Sequence, residues 1–271
     1  MIGAPLIFAI AATVSPPSSA APFGYQRLRL GDSVAHMISG EGPPNVLTTD
    51  VGHIWTWERG DERLRLTTDD DGVIRMIDIL PSQSDHLTLP LPGSSPKSVT
   101  FGTLTSDAAD EQLGMPADFK GLGNFPDSAA RAEFRAYRLT ANENAVLLFD
   151  NSSKRLTELF YGDRRFLARS GLLPGAPESV AQHYSAPVLQ RQGNADYPPT
   201  IKEGDAYLRV SVDKHGTVAN AEIFVTSGDP QLDRAALVSA RHDIFSPASL
   251  EGMPVDAVVF VRQEFRQLQT H

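Results

Sequence analysis

Tyr207-Leu208-Arg209-Val210-Ser211-Val212-Asp213 alternates without a break, with Leu208, Val210 and Val212 on one side and Tyr207, Arg209 and Ser211 on the other. A period of two marks a half-buried strand. Lys214-His215-Gly216 follows as a tight turn, because glycine supplies the positive φ that other residues resist. Residues 218–226 then read as a second strand. Ser227-Gly228-Asp229-Pro230 opens a helix: Asp229 can cap the free N–H groups, and Pro230 sits where a missing N–H costs nothing. Leu232, Ala235, Ala236 and Ala240 form the packed stripe of that helix. Residues 254–265 close the module as a strand, with Val258, Phe260 and Arg262 on one face.

Around these elements stand Tyr197-Pro198, Val210-Ser211-Val212-Asp213, Gly216-Thr217-Val218 and Val225-Thr226-Ser227-Gly228. Further on come Leu232-Asp233-Arg234-Ala235-Ala236-Leu237, Phe245-Ser246-Pro247-Ala248 and Gly252-Met253-Pro254-Val255. In this order and spacing, residues 186–267 resemble the C-terminal domain of the TonB family. The resemblance implies a small ββαβ domain that binds proteins in a bacterial envelope and carries no catalytic residues and no cofactor. It implies outer-membrane receptor or assembly proteins as partners, in TonB-dependent transport across the outer membrane. In that family the last long strand receives the partner, here Val258, Val259, Phe260, Val261, Arg262 and Gln263, by strand addition. A covered edge, or a homodimer through the same strand, is the competing use, since free edges aggregate.

The N-terminus agrees with an envelope address. Residues 2–14 are apolar apart from Gly3 and Pro5, and these 13 residues fall short of the ~20 that span a bilayer. Ser18-Ser19-Ala20-Ala21 ends the stretch in small residues, so residues 1–21 read as a cleaved secretory signal and the protein as periplasmic. The alternative is an uncleaved anchor in the inner membrane; no Lys or Arg precedes the apolar run. An energy transducer would need a membrane helix and a long Pro-rich spacer, and neither pattern is present. Cysteine is absent, which excludes disulfides, thiolate metal sites and a lipidated N-terminal Cys. The net charge of −9 argues against nucleic acid and acidic lipid surfaces as partners.

The middle of the chain contains a degenerate repeat. Leu30-Gly31-Asp32-Ser33 and Phe101-Gly102-Thr103-Leu104 each lead into a short helical pattern, carried by Val34, Met37 and Ile38 and then by Ala109 and Leu113. Each helix stops at a glycine and a proline, Gly42-Pro43-Pro44 and Gly114-Met115-Pro116. Three strand patterns follow in each copy: residues 53–58, 64–68 and 73–79, then 134–139, 145–150 and 156–161. Asp69-Asp70-Asp71-Gly72 and Asn151-Ser152-Ser153-Lys154 join the last two strands of each copy. A repeated supersecondary unit accounts for this order. Residues 28–80 resemble the BamE/SmpA (OmlA-like) envelope modules, through Leu30-Gly31-Asp32-Ser33, Gly42-Pro43-Pro44, Trp55 or Trp57, and Gly72-Val73-Ile74-Arg75-Met76-Ile77-Asp78. Residues 99–163 resemble them less. Beta-lactamase-inhibitor-like modules share the architecture.

Three hints of other chemistry fail on context. Gly31-Asp32-Ser33-Val34 is similar to the nucleophile block of GDSL hydrolases, but the Asp-x-x-His that could serve it, Asp50 to His53, follows too closely. A glycine turn with Asp32 or Ser33 as helix N-cap explains it better. The Asp69–Asp71 run lacks the spaced oxygen ligands and closing Glu of a calcium loop. The seven histidines show no metal-ligand spacing. Trp55 and Trp57 share a strand face; sheet packing explains them better than a partner anchor.

The sequence therefore predicts an α+β protein of two small helix-plus-antiparallel-sheet units followed by a ββαβ domain. The boundaries are 1–21 signal, 25–82 first unit, 97–174 second unit, 175–195 linker and 196–271 last domain. Pro90 to Pro96 reads as the join between the copies, and residues 178–184 as a short helix in the later linker. The function expected is protein binding rather than catalysis. An outer-membrane assembly or structural accessory is the alternative, and a GDSL-like hydrolase a third.

Overall fold

The computed structural model describes residues 25–82, 87–91, 97–125, 131–173, 183–194, 198 and 202–267. The signal-like segment, most of the Pro-rich join and residues 174–182 lie outside these.

The first copy runs from a 3₁₀ turn, Tyr25–Arg27, through α1 (Ala35–Glu41), β1 (Asn45–Thr48), β2 (His53–Arg59), β3 (Glu62–Thr68) and β4 (Ile74–Leu80). A hairpin of β5 (Thr88–Leu91) and β6 (Lys97–Thr100) follows, so Pro90 and Leu91 belong to a strand rather than to a bare linker. The second copy contributes α2 (Ala109–Leu113), β7 (Phe119–Gly123), β8 (Ala132–Arg138), β9 (Glu143–Phe149), β10 (Leu156–Asp163) and α3 (Arg164–Arg169). Each copy opens its sheet with a short strand, β1 or β7, that the residue pattern did not announce.

The two copies do not stand apart. β4 pairs antiparallel with β10, and the result is one eight-stranded sheet in the order β1-β2-β3-β4-β10-β9-β8-β7. The repeat is visible in its hydrogen bonds. Val34 N–H donates to Gly72 O and Ile74 N–H to Asp32 O in the first copy; Ser106 N–H donates to Lys154 O and Leu156 N–H to Leu104 O in the second. Both helices end on the expected glycines, Gly42 at φ 85° and Gly114 at φ 62°. The N-cap expectation shifts by one residue. Asp32 and Val34 are tied to the β3–β4 hairpin through their backbones, so α1 starts after Val34, and the Ser33 hydroxyl only accepts the Ala35 N–H at 3.3 Å.

The last part of the chain adds β11 (Tyr184–Ser185), β12 (Val188–Arg191), β13 (Gly204–Val212), β14 (Val218–Val225) and α4 (Pro230–Ala240). It ends with β15 (Ile244–Ser246), β16 (Ala248–Leu250), β17 (Met253–Val255) and β18 (Ala257–Phe265). The stretch read as a linker is partly structural: β11 pairs with β16 and β12 with β15, and Tyr184 is in a strand rather than a helix. The expected closing strand is divided, because Asp256 leaves the ladder and its carboxylate accepts the Lys214 N–H at 2.8 Å. β14-β13-β18 form a three-stranded antiparallel sheet. Asp229 caps α4 as expected, its carboxylate accepting the Gln231 N–H at 2.7 Å.

Strand alternation explains the cores. Ala206, Leu208, Val210 and Val212 of β13 meet Leu232, Ala236 and Ala240 of α4. The large sheet turns Trp55, Leu64, Leu66, Ile77, Leu147 and Leu159 to one face and Met76, Val146, Leu148 and Phe160 to the other, where Leu167 of α3 covers them. Tyr207 and Phe260 from the small sheet belong to the same core as Trp55. At about 25 cal/mol per Å² of apolar area buried, this shared core is what holds the last domain against the repeat.

Candidate functional site

The six residues expected to form a binding edge lie on β18, at the end of the three-stranded sheet. β13 pairs with it along its whole length, from Ala257 opposite Val212 to Phe265 opposite Gly204. Among the described residues no strand pairs with its other side. Alternation sends Val259 and Val261 into the core under α4, and Val258 and Phe260 towards the large sheet. Arg262 is anchored to Asp205 at 2.9 Å and to Glu264 at 2.7 Å. The Gln263 side-chain Oε1 accepts from Gln192 Nε2 at 2.9 Å, so the segment after β12 crosses here. Both faces of β18 are thus in use, and its backbone edge is what remains.

Behind this sheet stands an aromatic and ionic brace that the sequence did not disclose. Trp55 lies with its ring centre 4.8 Å from that of Phe260, which is itself 4.8 Å from Phe224. Tilted and edge-on contacts of this kind are the favoured ring geometries. Both tryptophans are buried, Trp55 donating to Thr68 Oγ1 at 3.0 Å and Trp57 to Gly42 O at 2.9 Å, so the packing reading holds. His53 is buried against Phe260, with its ring nitrogens on Thr48 Oγ1 at 3.0 Å and Asp70 Oδ1 at 3.1 Å. It therefore has no tie to Ser33, and Ser33 sits in a bridge to Val73.

The Asp69-Asp70-Asp71-Gly72 turn is the contact point on the repeat. Gly72 has φ 73°, and a Cβ there would lie 2.4 Å from the Phe224 ring. Asp69 closes the turn by accepting the Asp71 and Val73 N–H groups and pairing with Arg75. Arg209 reaches across from β13, donating to Asp70 O at 2.6 Å and to Asp71 Oδ1 at 3.3 Å, while also holding Glu222 at 3.1 Å. The hydrogen bond from His53 and the Arg209 charge keep the Asp70 carboxyl below its usual range, against partial burial. The buried Tyr207 hydroxyl has no hydrogen-bond partner among the described residues, and burial pushes its pKa up to about 12. No group of acidic or histidine side chains among the described residues is arranged to hold a metal ion.

The family model for the Gram-negative bacterial TonB protein C-terminal matches residues 200–266, from just before β13 to the end of β18. Residues 200–266 are a TonB C-terminal domain. No curated protein matches the chain. Among solved structures, the chain is similar to a cysteine-rich secretory protein from Staphylococcus aureus at 12% identity and a TM-score of 0.34, over 51% of this chain and 46% of that one. The chain thus spans about half the length of that protein. A DUF4309 family protein from Bacillus subtilis gives 12% identity and 0.34 over 49% and 78%. An extracellular protein containing an SCP domain from Bacillus anthracis gives 12% and 0.37 over 64% and 57%. No helix among the described residues is long and apolar enough to cross a membrane.

Outside the TonB C-terminal domain, one further charged group was missed. Arg63 and Arg65 alternate with Leu64 and Leu66, which puts them on the far face of the large sheet with Asp78 and Glu158. Arg65 holds Asp78 at 2.5 Å and Arg63 holds Glu158 at 2.6 Å. Burial raises both acids against the pull of the two arginines; the Asp78 carboxyl adds to the rise at Glu158, to about 8, while the hydrogen bond with Glu158 holds Asp78 down. Sequence alternation alone could have put Arg63, Arg65 and Asp78 opposite the core; only the β4–β10 pairing brings Glu158 to them.

Proposed function

We propose that this protein binds an extended segment of another envelope protein by adding it as a fourth strand to the outer edge of β18, in TonB-dependent transport across the outer membrane. The observation that carries this reading is the state of β18. It is nine residues long, it ends its sheet, and both its faces are packed. A partner that engages such a strand does so through main-chain N–H and C=O groups, which is the chemistry of strand addition. Residues Val258, Val259, Phe260, Val261, Arg262 and Gln263 define the site, and its location would be the periplasm. The repeat acts as a fixed brace: Trp55, Phe224 and Phe260 keep the receiving sheet rigid, which lowers the ordering cost of binding. The role is binding, with no chemical step assigned to any residue.

A photo-crosslinking residue placed at Glu264 on β18, compared with one at Asn220 on β14 at the opposite edge, tests this in the host. Crosslinks to an outer-membrane protein from position 264 and none from 220 are expected. Crosslinks from 220 alone, or from neither, would remove β18 as the receiving edge.

A further inference from the structure

The large sheet has two ends, and the two copies of the repeat treat them differently. β1 ends the first copy; β18 packs beside it, and Val46 joins the shared core. β7 ends the second copy, and among the described residues nothing pairs with its outer side. Phe119, Lys120, Gly121 and Leu122 are exposed there, Phe119 by 38% and Leu122 by 54%. A free edge is a template for another strand, and proteins usually blunt it with proline or with several charges. β7 has no proline and a single lysine.

The charges beside Phe119 are arranged about a point. Asp118 precedes it and Lys120 follows, both exposed. Neither has an ion-pair partner among the described residues. Asp110, the carboxylate on which the Lys120 charge acts, is already held by Arg135 and by the Tyr137 hydroxyl. When two identical strands pair antiparallel about a two-fold axis, the residue on the axis meets itself, and its neighbours meet each other's equivalents. With Phe119 on the axis, Asp118 meets Lys120 twice and the two rings meet between them. With Lys120 on the axis the two lysines collide. With Gly121 on the axis each Lys120 meets a Leu122 and gains no countercharge. Opposite charges directly across a strand pair attract and like charges repel, so one register is favoured over its neighbours.

We propose that two copies of this chain associate through β7, antiparallel about Phe119, so that their large sheets become continuous. The interface is isologous, with the Asp118–Lys120 pair repeated on both sides of the axis. β7 lies at the far end of the sheet from β1, where β18 packs. Both β18 edges therefore stay open in the dimer, and the pair presents two receiving strands.

The chain has no cysteine, so single cysteines report the register. Directly opposite strand residues have Cα atoms about 4.5–5.5 Å apart, within disulfide reach. Phe119→Cys should oxidise to a linked dimer. Leu122→Cys is more exposed but lies roughly 20 Å from its equivalent in this register, and should not link. Sedimentation of the full chain from about 1 to about 500 µM, the range a small interface calls for, should show a monomer–dimer equilibrium. Asp118→Lys and Lys120→Asp each set like charges opposite one another twice, and each should weaken the dimer about tenfold. The two changes together restore the pairing and should return the constant to within about threefold of the parent. The proposal is overturned if the protein is monomeric across that range, if the double variant is no tighter than the single ones, or if Leu122→Cys links the copies and Phe119→Cys does not. A dimer that neither charge reversal weakens is held by another edge, β18 included, and overturns it equally.

Discussion

Replacing Gly72 by alanine should cost far more than the same change one hairpin earlier, and the excess should come from Phe224. Gly72 has φ 73° and Gly60 has φ 67°, so both substitutions force an L-residue into the left-handed region at roughly 1–2 kcal/mol. At Gly60 a Cβ meets nothing among the described residues within 4 Å, whereas at Gly72 it would lie 2.4 and 2.7 Å from two atoms of the Phe224 ring. The ring must move. Its edge contact with Phe260, 4.8 Å between centres, is worth about 0.5–1.5 kcal/mol, before any loss of burial against Trp55. Gly72→Ala should therefore destabilise by about 3 kcal/mol and Gly60→Ala by about half of that. Urea unfolding followed by tryptophan fluorescence measures both, because the chain's two tryptophans, Trp55 and Trp57, lie on β2 beside this contact. In a Phe224→Leu background the cost of Gly72→Ala should fall to the Gly60→Ala value. Equal costs for the two alanines in the parent protein would refute the idea that the Asp69–Gly72 turn carries the small sheet.

Two further outcomes follow from single groups. Glu158 has its pKa raised from 4.5 to about 8, so the folded state keeps a proton that the unfolded chain has released. Its contribution is fully present below pH 4.5 and is lost as pH rises through 8, at up to ~1.4 kcal/mol per pH unit; Glu158→Gln should flatten the urea-derived stability profile across that window, and an unchanged slope would place the proton elsewhere. Asp229→Ala removes the acceptor of the Gln231 N–H and a 3.5 Å contact with Lys202, and should cost about 1 kcal/mol, with faster amide exchange in the first turn of α4 and most of the loss recovered by Asp229→Asn.

What could be read in the sequence was local. The alternation through Tyr207 to Asp213, the glycine turn at Gly216 and the Asp229-Pro230 cap all specify their elements without help from the rest of the chain, and the family match falls on them. The repeat was legible for the same reason, since each copy restates its helix stop and its hairpin. What stayed hidden depends on pairing between distant segments. Nothing local says that β4 meets β10, so the fused sheet and the Glu158–Asp78 pair could not be read. β11, β12 and β15 are two to four residues long and hold their place through distant partners, β11 through β16 and β12 through β15. Phe224 alternates with Ile223 in plain view, but its outward direction acquires a meaning only when Gly72 is opposite.

That opposition also explains why the repeat carries one TonB C-terminal domain on one of its halves. The Val34-to-Gly72 and Ser106-to-Lys154 hydrogen bonds make Gly72 and Lys154 equivalent positions, and both take positive φ, 73° and 59°. In the first copy the residue has no side chain, and an aromatic ring lies directly on the backbone. In the second the lysine extends outward to pair with Glu133 at 2.9 Å and would block a ring at that point. The difference continues beneath it: the second copy ties Arg135 and Tyr137 to Asp110 of α2, whereas the first leaves Trp55 to pack against another sheet. Glycine at this turn of the first copy leaves the room that the Phe224 ring of the small sheet takes up, and so holds that sheet against the first copy.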